Sequence, residues 1–176
     1  MKSKLFFFTL IIIFIFACSR DAEEVVQIKG TIMRYNQLLI EGYKNLNMNP
    51  LQEVATTEHA TELYYHMAAL GEADIKMLST LKKIDFTRVN IVKSDKVVVS
   101  TREVWDFVHV DIKTDERVYD EKDFVYEMRY ELIKKDGRWL VEKVTAVSAQ
   151  SSSPVEKKHP QLDQPPKMRK DKGIGH

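Results

Sequence analysis

One cysteine, Cys18, stands in 176 residues. A lone thiol excludes internal disulfides, cysteine-based zinc sites and haem attachment through paired cysteines. Excess charge of one sign is also missing. Lys and Arg number 27 against 26 Asp and Glu, so nothing points to nucleic acid as a partner. The five histidines do not gather. His59 and His66 are seven apart, roughly 10 Å along a helix, too far to share a metal. His159 and His176 have no third ligand type beside them. No metal, no cofactor and no internal repeat are expected.

No apolar run is long enough to span a bilayer comfortably. Leu5 to Phe16, broken only by Thr9, covers about 18 Å as a helix, against a hydrocarbon core of about 30 Å. Lys2 and Lys4 precede it and the small Ala17 closes it. A charged start, a short apolar centre and a small residue before the cut make residues 1–17 a signal peptide. Ile15, Ala17 and Cys18 resemble the lipobox of bacterial lipoproteins, with Phe16 departing from the usual small or polar residue. The resemblance implies a mature chain that begins at Cys18 and carries palmitate-type acyl chains there. Two or more such chains anchor stably, at about 0.8 kcal/mol per buried methylene. It implies the cell envelope as location and the membrane as partner. Ser19, rather than Asp, implies the outer membrane facing the periplasm in a Gram-negative cell. The other reading of Cys18 is an ordinary thiol ending an N-terminal anchor. Residues 18–24 are short and polar, a tether.

The remaining length suits one domain with a tail. Val25, Ile28, Ile32, Tyr35, Leu39, Tyr43 and Leu46 recur at helical steps, with Asn36 among the polar positions off that stripe. Asn49-Pro50 restarts a short helix, Leu51 to Ala55. Thr56-Thr57 can cap a third, whose period runs through Leu70, Ile75 and Leu78 to about Leu81. From Ile84 the residues become β-type. Val97 to Ile112 reads as a long strand, Thr114 to Asp123 as a charged loop or mobile hairpin tip, and Phe124 to Ile133 as an alternating strand. Asp136-Gly137 is a hairpin turn, and Trp139 to Val147 returns. Residues 149–176 hold Ser151 to Pro154, Pro160, Pro165-Pro166 and a basic cluster, and read as a disordered tail.

The expected class is therefore α+β, with three N-terminal helices on a curved antiparallel sheet of about four strands. Arg102 to Phe107, Tyr126 to Lys135 and Gly137 to Val141 are similar to segments of the nuclear transport factor two-like superfamily. That resemblance spans roughly residues 25–148 and implies a cone with a pocket. The superfamily holds isomerases, dehydratases and partner-binding domains, so fold does not choose function.

Candidate chemistry is sparse. His109 and Asp111 lie two apart on one strand, where an Asp can orient a His for proton transfer. A solvated strand end is the alternative. Tyr64, Tyr65, Trp105, Tyr126, Met128 and Tyr130 are candidates to line an apolar pocket, or simply core. Val104, Val108, Val110 and Ile112 make the second face of the long strand apolar too. That predicts a cover, a second copy in a homodimer, another protein or the tail, unless a β-bulge swaps the faces. The basic tail could meet an anionic envelope polymer or phospholipid.

The reading that follows is a lipid-anchored envelope protein with a non-catalytic binding domain for an envelope partner or apolar small molecule. One alternative is a cofactor-free isomerase, dehydratase or hydrolase using His109 and Asp111. Another is a structural protein retained by its tail.

Overall fold

A computed structural model describes residues 2–151, with side chains described from residue 22 onward. The side chain of Cys18 and the tail beyond residue 151 lie outside the described residues. The class is α+β. Helix α1 (Lys2–Asn45) is followed by a 3-10 turn (Asn49–Glu53) and helix α2 (Thr57–Glu72). Strands β1 (Ile75–Lys93), β2 (Lys96–Asp111), β3 (Arg117–Lys135) and β4 (Arg138–Gln150) form one antiparallel meander in the order β1-β2-β3-β4. Among the described residues no helix is long and apolar enough to cross a membrane.

Helix α1 passes without a break through the expected tether. Its stripe buries Ile28, Ile32, Tyr35, Leu38 and Tyr43, each at most 4% exposed. Burying each of the aliphatic ones contributes about 1.5–3 kcal/mol. Leu46 steps out of the helix at φ 53° and is exposed. The expected middle helix is instead a 3-10 turn, so the described residues hold two α-helices rather than three. Asn47 Oδ1 accepts from the Asn49 N–H at 3.1 Å, a local turn that competes with a regular helix start. Thr56 caps α2 as expected, its Oγ1 accepting from the His59 N–H at 3.3 Å.

Helix α2 stops at Glu72, not at Leu81. Asp74, at φ 58°, turns the chain, and Ile75 to Leu81 pair with Asp111 to Trp105 on β2. Ile75, Leu78 and Leu81 keep three-residue steps that fit a helix. A strand with apolar residues on both faces satisfies the same list, and the β2 ladder decides between them. The expected loop at Thr114 to Asp123 is likewise mostly strand. Residues 117–121 carry three charged side chains, Arg117, Asp120 and Glu121, yet their backbone pairs with Val110 to Phe107. The hairpin Asp136-Gly137 has positive φ at both positions, 50° and 77°, the two-residue turn expected. Strand β4 continues to Gln150, past the boundary at residue 149.

The register fixes which residues face the helices. Val97, Val99, Thr101, Glu103 and Trp105 of β2 oppose Leu132, Tyr130, Met128, Tyr126 and Phe124 of β3. The core gathers Val97, Val99, Tyr130, Leu132, Trp139 and Val141 under Ile28, Ile32, Tyr35 and Leu51. A register shift between Trp105 and Phe107 marks a bulge at Lys122-Asp123, where Asp123 has φ 55°. Asp106 accepts from the Asp123 N–H at 2.8 Å, and Lys82 bridges both carboxylates. Three strands are thus pinned at one point. On the opposite face Val110 is buried and Val104 and Val108 are half-buried.

Candidate functional site

The centre of the helix-side face is polar. Glu103 is 1% exposed, between its register partners Ile84 and Tyr126. Its Oε1 accepts from Thr101 Oγ1 and from Tyr130 Oη, both at 2.7 Å. Its Oε2 accepts from Trp105 Nε1 at 2.8 Å. Three donors on two oxygens meet the demand of a buried carboxylate without any cation. Asn36 of α1 completes the set, its Nδ2 lying 3.2 Å from Tyr130 Oη. Burial, then the charge of Glu103, raises the Tyr130 pKa well above the ordinary phenol value, so it stays a donor.

A second polar seam joins the helices. Tyr35 Oη lies 2.9 Å from His59 Nε2 with the rings stacked, and Tyr43 Oη lies 2.6 Å from His66 Nδ1 with the rings edge-on. Both pairings run in the same sequence direction, so α1 and α2 are roughly parallel. The 3-10 turn therefore carries the chain back along α1, where Arg34 grips Glu53 at 3.0 and 3.2 Å. Burial lowers the pKa of both histidines, opposed at His59 by the exposed Glu62. Burial raises the pKa of both tyrosines. Neutral imidazole accepting from phenol is the arrangement these shifts favour.

Beyond Trp105 the face changes character. Phe107 stacks on Trp105 at 5.8 Å and meets Phe124 and Tyr126 edge-on, both at 6.1 Å. Phe124 and Tyr126 are 4.6 Å apart. All but Trp105 are half-buried, and the group lies outside the main hydrophobic cluster. These four side chains form an aromatic platform at one end of the helix-side face. Glu121 opposes Phe107, and Tyr119 opposes His109 with rings 5.1 Å apart.

The six aromatic and methionine candidates divide. Trp105, Tyr126, Met128 and Tyr130 share the helix-side face. Tyr64 and Tyr65 do not join them, being 49% and 63% exposed on α2. Tyr64 instead borders a recess of about 410 Å³ with Met48, Gln52 and Thr61. His109 and Asp111 fall at the end of β2, both half-buried. Asp111 Oδ1 accepts the N–H groups of Lys113 and Thr114 at 2.8 and 2.9 Å. Those two backbone bonds hold its pKa below the usual carboxylate range and commit it to the turn. Among the described residues no cluster of His, Cys, Asp or Glu could hold a metal. Glu103 was visible in the sequence as a Glu on the face of Trp105 and Phe107. Asn36 gave no signal, since it reads as a surface residue beside the helical stripe.

No family model matches the chain, and no curated protein matches its sequence. Solved structures do resemble it. The intermembrane space region of the chloroplast protein ARC6 aligns with TM-score 0.57 at 13% identity, over 68% of this chain and 92% of that one. The two share a fold. A hexachlorocyclohexane dehydrochlorinase aligns with TM-score 0.45 at 12% identity, over 81% of this chain and 99% of that one. A scytalone dehydratase-like protein from Novosphingobium aromaticivorans aligns with TM-score 0.42 at 11% identity, over 79% and 97%.

Proposed function

We propose that this is a lipid-anchored cell-envelope protein whose nuclear transport factor two-like domain binds rather than catalyses. The ligand is an envelope partner or an apolar small molecule, and it docks on the platform of Trp105, Phe107, Phe124 and Tyr126. Cys18 carries the anchor.

The observation that carries the binding reading is the state of Glu103. An acid–base catalyst must reach a substrate proton. Glu103 is sealed and spends both oxygens on the chain's own donors. Asp111 likewise gives its Oδ1 to the backbone N–H groups of Lys113 and Thr114 in the turn that follows. The platform beside Glu103 is aromatic surface, suited to apolar contact.

The test uses the two tryptophans. An aromatic probe, 2-phenylethanol, is titrated into nitrogen-labelled protein while both indole N–H signals are followed. Binding at the platform moves the Trp105 signal and spares Trp139, which lies in the main cluster. Movement of neither signal, or of Trp139 alone, rejects the platform. For the anchor, intact mass of the membrane-extracted protein is compared with Cys18→Ala. A chain beginning at Cys18 with acyl mass supports it, and an unacylated native chain rejects it.

A further inference from the structure

We infer that the platform's ligand carries a primary or secondary ammonium group, which docks on Glu121. The inference deepens the binding reading above and rests on it.

Glu121 is 7% exposed, and its Oε2 accepts from the Tyr119 hydroxyl. Its Oε1 is buried and has no hydrogen-bond partner. Buried carboxyl oxygens are rarely left so, because desolvation without a replacement bond is costly. Glu103, on the same face, shows the usual outcome, with every oxygen engaged. Glu121 therefore reads as a site missing one donor.

The surroundings say which donor. Phe107 is the register partner of Glu121, and its ring joins Trp105, Phe124 and Tyr126. Aromatic faces attract cations, and a carboxylate beside them adds a hydrogen-bonded anchor. Lys82 is engaged with Asp106 and Asp123, and Arg117 with Asp120. A neutral apolar ligand would leave Oε1 orphaned, and an anion would be repelled. A quaternary ammonium has no N–H to give, so a protonated amine fits best.

The amine has two sources, a free molecule or a lysine side chain of this chain. Strand β4 ends at Gln150, opposite Val125 and four positions along β3 from Glu121, and Lys157 and Lys158 follow in sequence.

The full chain is titrated with phenethylammonium and, separately, 2-phenylethanol, which share one frame and end in a cationic ammonium or a neutral hydroxyl. The expected result is about tenfold tighter binding of the ammonium. Glu121→Gln is expected to erase that preference. Should Glu121→Gln not fold, nuclear Overhauser contacts in the native protein decide. They are expected between the probe's ammonium-side methylene and the Tyr119 ring. Equal affinity of the two probes overturns the inference and leaves the platform standing. A preference that survives Glu121→Gln, or contacts from Tyr119 to the phenyl end, also overturns it. Failure of both probes to bind removes the platform itself. Tighter phenethylammonium binding in Lys157→Gln/Lys158→Gln names the chain's own lysine as resident, and unchanged binding assigns an external amine. Both arms support the ammonium.

Discussion

Tyr130 donates a 2.7 Å hydrogen bond to Glu103 although the two are not register partners. Tyr130 pairs with Val99, and Glu103 pairs with Tyr126. The bond therefore runs diagonally across β2 and β3, and Asn36 locks it from α1. Sheet and helix are joined at a polar point in the interior. Tyr130→Phe removes that donor and leaves Glu103 with two. The expected loss is about 2 kcal/mol, as for a buried bond to a charged group. Urea unfolding of Tyr130→Phe, Asn36→Ala and the double variant measures it. Coupling between the two substitutions is expected to exceed about 0.5 kcal/mol.

Glu103→Gln tests the direction of the same bonds. The hydroxyls of Thr101 and Tyr130 can turn to accept from an amide NH₂, but the indole of Trp105 can only donate. The glutamine oxygen is therefore expected to face Trp105. The Trp105 indole proton should keep its hydrogen-bonded chemical shift in this variant, with a stability loss of about 1–2 kcal/mol. A free-indole shift would show that Trp105 does not depend on Glu103.

The Tyr–His seam makes stability depend on pH. Burial lowers the folded pKa of His59 and His66 from the ordinary 6.5. Between that value and the lower folded value the unfolded chain binds more protons than the folded one. The seam's contribution is thus complete above pH 6.5 and is lost as pH falls below it through the folded values. Urea midpoints at about pH 7.5 and 5.5 should fall toward acid. The decline should flatten in His59→Gln/His66→Asn, whose amides accept from the tyrosines without titrating.

Arg34 and Glu53 offer a contrast. Their side chains are 40% and 53% exposed despite the two-pronged contact. Water screens such a pair, so Arg34→Ala should leave the urea midpoint nearly unchanged. A loss as large as that of Tyr130→Phe would mean that the 3-10 turn depends on this clamp.

Much of the fold was legible. The α1 stripe, the Thr56 cap, the Asp136-Gly137 turn and the alternation of β3 are local patterns, and local patterns survive folding. The start of β1 was not, because Ile75, Leu78 and Leu81 satisfy two periods and only pairing with β2 chooses. The first half of β3 was hidden by its charges, since a ladder needs backbone rather than apolar side chains. Of the site, the aromatic strand residues were visible and the partners of Glu103 were not. Thr101 and Tyr130 reach it by register, Asn36 by helix packing, and both are long-range facts.

The central claim is that the interior around Glu103 is closed, so that this face binds and does not catalyse. Hydrogen exchange of the Trp105 indole N–H, which donates to Glu103, tests it most directly. The opening free energy of that proton is compared with the global unfolding free energy from urea. The account predicts that the two agree, so that Glu103 meets water only when the whole domain unfolds. Exchange through a smaller opening would show that solvent, and a substrate with it, reaches the carboxylate in the folded protein.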